Sequence, residues 1–249
     1  MTRADIVKFE PDGANNQGLK DWFAIDPAEL AAGEPHQRVH LYHEDEKLGY
    51  LTGVWDCTPM TEHFGPYPVH EFMILLEGSL TFNLSNDRQV SINSSEPFII
   101  PKGLPCQWIQ TGYVRKFFMI FEDPGADPAV DVAAQTIIKP SLTGSIGAEL
   151  IKSSRVDFAD PSGQMIVSTW DSPAAMATNS KAVGDQLVCV TNGSMNFTDK
   201  AGHTLQIESG EAAYIRHGSD YVWQVPEYVR AVSSVFAPKQ AAAPAGGTE

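Results

Sequence analysis

The sequence predicts an all-β protein made of two tandem copies of one domain. Short apolar runs of three to seven residues, separated by Gly, Pro, Asn and Asp, are typical of strands in a sandwich or barrel. A shift of 115 residues matches 55–121 with 170–236 without a gap and gives 15 identities over 67 positions. Many of these identities are Gly, Trp or Arg, which have special backbone or packing roles. A repeat of this length indicates a domain and not a solenoid unit.

The first 35 residues are predicted to be an N-terminal extension that precedes the repeat. They are polar and are interrupted by several Gly and Pro residues. The run 27–32 predicts one helical turn, with Asp26 as its N-cap and Gly33 after its last residue.

The first domain is predicted over 36–122, and this is the candidate active copy. Its apolar runs are rich in aromatic and β-branched residues, which favour strands. Strands are predicted at 49–55, 72–77, 79–84, 89–92, 98–100, 106–110 and 115–121.

An inter-domain connection is predicted over 123–154, followed by a second, degenerate domain over 155–237. The residues 238–249 are rich in Ala, Gly and Pro and predict a flexible tail. In the second domain, strands are predicted at 165–170, 186–191, 194–198, 204–207, 212–215, 221–225 and 231–236.

The composition excludes several classes of partner. The chain has 249 residues and a net charge of −14, which argues against nucleic acid and against an anionic membrane surface. No apolar stretch reaches membrane-spanning length, and we expect a cytoplasmic protein. The three cysteines are far apart in the sequence, which argues against a disulfide framework.

Two motifs carry a resemblance to the cupin superfamily. In the run 67–79, Glu71 and Gly78 are separated by six residues, as in the first cupin motif, and the Pro101-Lys-Gly103 run resembles the second. Together with Trp55 and Trp108, these residues resemble the subfamily of ureidoglycine aminohydrolase and the ethanolamine-utilisation cupin. The resemblance covers 40–122 and, more weakly, 155–236. It implies a bicupin, with two antiparallel jelly-roll barrels of the RmlC-like type that enclose a ligand cavity. We also expect a homo-oligomer, such as a homodimer.

The resemblance implies a metal site that lacks most of its usual ligands. A typical cupin holds a divalent metal with two His, a Glu and a third His; here Glu71 keeps its place, whereas Gly65, Tyr67 and Cys106 stand at the His positions. His63 has the right strand parity to join Glu71 and Cys106 around manganese, iron, nickel or zinc. Two alternatives remain open for Glu71. It can act as an acid or base without a metal, or it can be a polar residue that Tyr67 satisfies.

Other candidate binding residues follow from the same alignment. Trp108, Cys106 and His63 are predicted to line the pocket of the first domain, although Cys106 also fits an inert buried thiol. In the second domain Gln186 replaces the Glu and Tyr221 replaces the Cys, so its interior offers an amide and a phenol. That domain is predicted to be a structural partner, with a second, metal-free pocket as the alternative.

Two functions fit the sequence. The first is an enzyme that acts on a small polar metabolite in the first barrel, with Glu71 as the acid, base or metal ligand and Tyr67 as an orienting residue. The resemblance to ureidoglycine aminohydrolase implies hydrolytic release of an amine from a nitrogen-containing substrate. The alternative is a non-catalytic bicupin that binds a small molecule without a metal.

Overall fold

The computed structural model describes residues 5–85, 87–124, 136–143 and 153–239. The described chain is almost all antiparallel β-structure, as predicted, with two short 3-10 helices at Ala14–Asn16 and Pro27–Glu29. No helix in these ranges is long and apolar enough to span a membrane. The strands before residue 122 are β1 (Ile6–Phe9), β2 (Lys20–Asp21), β3 (Leu30–Ala32), β4 (Gln37–Asp45), β5 (Tyr50–Cys57), β6 (Met60–Glu62), β7 (Gly65–Pro66), β8 (His70–Glu77), β9 (Ser79–Leu84), β10 (Gln89–Asn93), β11 (Pro97–Ile100), β12 (Pro105–Gln110) and β13 (Val114–Phe121).

The remaining strands form the second half of the chain. They are fewer and longer, because single strands run through positions where the sequence predicts separate ones. They are β14 (Ser153–Ala159), β15 (Met165–Lys181), β16 (Asp185–Asp199), β17 (Thr204–Glu208), β18 (Ala212–Ile215) and β19 (Asp220–Phe236).

Two sheets form the first half and one continuous sheet forms the second. In the first half one sheet has the order β11-β8-β13-β5-β4-β2, and the other has β10-β9-β12-β6-β3 with β7 beside β12. The sheet of the second half has the order β1-β18-β16-β19-β15-β14, with β17 beside β16. The N-terminal strand β1 therefore belongs to the second half, where Ile6 pairs with Ile215.

Equivalent strands in the two halves pair in the same register after the shift of 115 residues. Glu71 pairs with Ile100 in the first half, and Gln186 pairs with Ile215 in the second. The repeated glycines have one role in both copies. Gly78 and Gly193 have φ of 84° and 76°, and a Cβ at either position would collide with the carbonyl oxygen of Tyr113 or Tyr228.

Each half encloses its own apolar core, and a third core joins the halves. One face of the sheet that contains β8 packs against the second half. There the ring of Tyr50 stacks on that of Phe236, with centroids 4.4 Å apart. Phe121 also contacts Phe236, at 5.0 Å. Because strand side chains alternate, a residue of β8 faces either this joining core or the interior of the first half.

The N-terminal extension differs from its prediction in one detail, and its strands pair with the sheets of both halves, which its sequence does not indicate. Asp26 caps a helical turn through a 2.9 Å hydrogen bond from the Ala28 backbone N–H, as predicted. The turn ends at Glu29, and Leu30–Ala32 continue as strand β3 against β6. The predicted flexibility of 240–249, and most of the predicted connection, lie outside the described residues.

Candidate functional site

A cavity of about 190 Å³ lies in the interior of the first half. Strands of both sheets and the N-terminal extension contribute to its wall. Its lining residues are Trp22, Phe23, Ile25, Glu29, Gln37, Trp55, Met60, Glu62, Tyr67, Glu71, Trp108, Lys116, Phe118 and Ile120.

Glu71 reaches this cavity because of the alternation along β8. Glu71, Met73 and Leu75 point to the interior, whereas Phe72 and Ile74 belong to the core that joins the two halves. Glu71 is only 2% exposed. A carboxylate buried to this extent needs ionic and hydrogen-bonding partners, and both are present.

The ionic partner of Glu71 is Lys116. Its Nζ lies 2.8 Å from Glu71 Oε1 and also contacts the sulfur of Met73 at 3.2 Å. The ammonium lies over the rings of Trp55 and Trp108, 4.6 and 4.9 Å from their centroids. The carboxylate and the two indole faces together hold the ammonium group in place.

The hydrogen-bonding partner of Glu71 is Tyr67. The Tyr67 hydroxyl donates to Glu71 Oε2, so both carboxylate oxygens have a partner. Backbone hydrogen bonds with Leu104 and Gly103, of 3.0 and 2.7 Å, fix the Tyr67 backbone before β8 begins. Burial, and then the nearby carboxylates, raise the pKa of Tyr67 well above its ordinary value. The predicted contact between Tyr67 and Glu71 is therefore present.

A second carboxyl group, that of Glu62, lines the same cavity from the end of β6. Its side chain makes no hydrogen bond or ion pair with any residue in the described ranges. The pKa of Glu62 is raised to about 7, chiefly by burial; Lys116 opposes this shift, and Glu29 and Glu71 contribute to it. Near neutral pH the carboxyl group of Glu62 can therefore gain or lose a proton.

The two tryptophans of the cavity wall are held by buried amide side chains. Trp55 Nε1 donates to Gln37 Oε1 at 2.8 Å, and Trp108 Nε1 donates to Gln110 Oε1 at 3.2 Å. Gln37 also donates to the Phe23 carbonyl at 2.7 Å, which ties the N-terminal extension to the wall. Both indoles pack in the core of the first half and line the cavity, as predicted for Trp108, and their hydrogen bonds hold them in place.

The structure does not assemble the predicted metal site of Glu71, His63 and Cys106. His63 is exposed and is not among the lining residues, because β6 ends at Glu62 and the chain turns outward before β7. Cys106 is buried in the apolar core, where burial raises the pKa of its thiol to about 12 and so disfavours the thiolate that binds metals. Within the described ranges no three His, Cys, Asp or Glu side chains are grouped to hold a metal ion. The donor set does not fit a metal at Glu71, and the cation beside this carboxylate is Lys116.

The predicted residues of the second half lie together around a much smaller space. Gln186 and Tyr221 line a cavity of about 50 Å³ with Trp170 and Trp223. At the position equivalent to Lys116 this half has Ala231. A space of this size holds at most one or two water molecules. The space around Gln186 is therefore too small for an organic ligand; Tyr221 also borders a wider, open depression of about 500 Å³.

The repeated Arg of the first half belongs to an ionic cluster outside the cavity. Arg115 lies 3.5 Å from Asp56, a carboxylate that also accepts a 2.6 Å hydrogen bond from Tyr113. Arg38 binds both oxygens of Asp56, at 3.0 and 2.7 Å.

The second half repeats this arrangement. Arg230 lies 2.7 Å from Asp171, and the Tyr228 hydroxyl is 3.4 Å from the same carboxylate. The Asp, Tyr and Arg that are identical in the two copies thus form an equivalent ionic cluster in each half, outside the cavity.

The sequence interpretation missed Lys116 and Glu62 as site residues. A signal for Lys116 was present. It is a lysine inside an apolar strand, two residues from Phe118 and so on the same face, and the second copy has Ala231 at the equivalent position. No comparable signal marked Glu62, since a glutamate before His63 and Phe64 reads as a loop residue.

Comparison with known proteins agrees with this architecture. Residues 159–232 match the sequence model of the EutQ-like cupin domain. The chain has a cupin fold. No protein of curated function matches the chain in sequence.

Solved structures share the fold at low sequence identity. A protein of unknown function from Pseudomonas syringae pv. tomato is 17% identical and superposes with a TM-score of 0.67, covering 92% of this chain and 98% of its own. A cupin 2 conserved barrel domain protein from Leptotrichia buccalis is 12% identical, with a TM-score of 0.60 and coverages of 88% and 98%. The salicylate 1,2-dioxygenase of Pseudoaminobacter salicylatoxidans is 12% identical, with a TM-score of 0.50 and coverages of 76% and 69%. At such identities the comparison establishes the cupin fold and not a reaction.

Proposed function

We propose that the chain is a bicupin that binds a small polar organic molecule in the cavity of its first half and acts on it without a divalent metal at Glu71. One observation carries the proposal: the Lys116 ammonium lies 2.8 Å from Glu71, inside a cavity with aromatic walls. Buried ionisable groups that line a cavity are typical of binding and catalytic sites.

In this proposal the three polar side chains have different roles. The Lys116 ammonium has donors left after its bond to Glu71 and offers one to an oxygen atom of the ligand. Tyr67 orients the ligand through its hydroxyl oxygen. When that oxygen accepts a proton from the ligand, the Tyr67 hydroxyl proton moves to Glu71, so that Tyr67 stays neutral, as its raised pKa requires. Trp55 and Trp108 exclude water and hold the ammonium in place.

The second candidate function is binding without catalysis. It is favoured by the fact that protein groups already occupy both oxygens of Glu71. A carboxylate held in this way can shape the cavity and fix Lys116 without itself moving a proton.

A ligand screen tests the proposal. Wild type, Lys116→Met and Gln186→Ala are each screened by thermal shift against a library of small polar metabolites, and hits are followed by NMR for turnover. We expect hits that stabilise wild type and Gln186→Ala equally and lose their effect in Lys116→Met. The placement of the site would be overturned by compounds that stabilise Lys116→Met as much as wild type, or that no longer stabilise Gln186→Ala. Turnover of a hit separates the enzyme from the binder.

Three further expectations belong to the same proposal. We propose domain boundaries at 36–122 and 155–237, because most paired strands of each copy fall within these ranges; β14 begins two residues earlier, and the N-terminal extension adds β1, β2 and β3. We also propose a cytoplasmic homodimer, and size measurement in solution tests its stoichiometry.

A further inference from the structure

We infer that the cavity of the first half recognises a small organic ammonium ion, whose positive charge is bound by Glu62. This inference rests on the proposed function, since it names the ligand class of the same cavity, and it adds a specificity residue that plays no part in the Lys116–Glu71 pair.

The charges that line the cavity do not balance. Three carboxyl groups line it, those of Glu29, Glu62 and Glu71, against the single cation Lys116. That cation is bound to Glu71 at 2.8 Å. Glu62 makes no ion pair or hydrogen bond with the residues described, and the charge of Lys116 offsets its burial only in part, since its pKa stays raised. A partly buried carboxylate without a partner is unfavourable, and a cationic ligand would compensate its charge.

The aromatic residues of the cavity wall suit the same ligand. Indole faces attract ammonium groups, and the wall of this cavity already does so with Lys116. Trp22 and Phe23 line the cavity from the N-terminal extension, with ring centroids 4.5 Å apart. Phe23 is 62% exposed although it lines the cavity, so its ring is accessible to a ligand that enters from solvent.

The size of the cavity limits the ligand. A volume of about 190 Å³ equals the share of roughly six water molecules in the liquid. An ammonium compound with a few non-hydrogen atoms fits this space, whereas a nucleotide or a peptide does not.

The protonation of Glu62 connects binding to pH. The charged groups that act on Glu62 are Glu29, Glu71 and Lys116, and burial is the largest cause of its raised pKa. A cation binds only the ionised carboxylate, so the ligand displaces a proton near neutral pH. The affinity for an ammonium ligand therefore rises with pH until Glu62 is fully ionised.

Matched pairs of probes test the inference. Choline and its uncharged carbon isostere 3,3-dimethylbutan-1-ol, and ethanolamine and propan-1-ol, are titrated into the full-length protein by calorimetry. The variant is Glu62→Gln, and the control is Glu46→Gln, which removes the same charge from an exposed residue outside the cavity. We expect at least one ammonium probe to bind wild type about tenfold or more tightly than its isostere. Glu62→Gln should remove this preference, and Glu46→Gln should keep it.

The possible failures are distinguishable. If each isostere binds as well as its ammonium partner, or if Glu62→Gln keeps the preference, the inference is overturned. If no ammonium probe binds but an uncharged or anionic library hit depends on Lys116, the inference fails and the proposed function stands. If no hit of any charge depends on Lys116, both fail.

Discussion

Lys116 and Glu71 form a buried ion pair across strands β13 and β8, and the equivalent positions of the second half are Ala231 and Gln186. The two copies have kept the same strand register and differ in the charge they enclose. The first half has a cavity of about 190 Å³ with charged side chains in its wall, whereas the space of about 50 Å³ around Gln186 is lined by uncharged side chains.

The ion pair predicts strong energetic coupling between its two members. Lys116→Met alone should lower the free energy of unfolding by about 3 kcal/mol, because it leaves a buried carboxylate without its cation. Glu71→Gln should also destabilise, and the double variant should lose less than the sum of the two. Urea denaturation of the four proteins measures the cycle. Additive losses would show that the pair contributes no interaction energy.

The asymmetry of the halves predicts different effects of equivalent substitutions. Glu71→Gln should abolish ligand binding and any turnover while the protein stays folded, because it removes the charge that positions Lys116 and Tyr67. Gln186→Ala should be nearly silent, because it alters only the small cavity of the second half. Calorimetry with a hit from the ligand screen compares them. Equal loss of binding in both variants would contradict a single functional half.

The repeated glycines predict equal sensitivity in the two halves. Gly78→Ala and Gly193→Ala should each destabilise by about 1–3 kcal/mol, since both positions have positive φ and lie against a carbonyl oxygen. Gly112→Ala is the control, because nothing lies within 4 Å of its Cβ position. Thermal and urea unfolding would report the difference. Unchanged stability in Gly78→Ala and Gly193→Ala would contradict the turn geometry.

The raised pKa of Glu62 predicts a pH-dependent stability difference between wild type and Glu62→Gln. Folding raises this pKa from 4.5 to about 7, so the native state holds a proton in this window that the unfolded state releases. Wild type should therefore lose stability relative to Glu62→Gln as the pH rises from about 4.5 to about 7, by no more than about 3 kcal/mol. Urea unfolding at intervals across this range measures the difference. A constant difference would show that the Glu62 carboxyl is solvated like an exposed one.

The fold was largely predictable because its signals are local and repeated. Ser79–Leu84 and Ala212–Ile215 match their predicted bounds, since Gly residues or polar turns flank compact apolar runs. Strand β4 was missed because His, Arg and Glu interrupt its apolar residues. The pairing of β1 with β18 was beyond reach, because a contact across about 200 residues leaves no periodic pattern in four residues of sequence.

The site was predictable only in part. Glu71 and Tyr67 were found through motif spacing, and both line the cavity, although Tyr67 lies before β8. The prediction that His63 faces the cavity was wrong. It relied on the alternation of side chains along a strand, and β6 ends one residue before His63. Glu62 reaches the cavity through the fold of that same segment, which depends on the packing of β3 against β6.

The metal content of the protein is the measurement that tests the central claim most directly. Wild type and Glu71→Ala are purified without an affinity tag from cells grown with added manganese, iron, nickel and zinc, and elemental analysis follows. If Lys116 is the cation of this site, both proteins will contain the same small fraction of an equivalent. About one equivalent of a divalent metal in wild type that is lost in Glu71→Ala would contradict the account, since the metal would then have displaced Lys116 from Glu71.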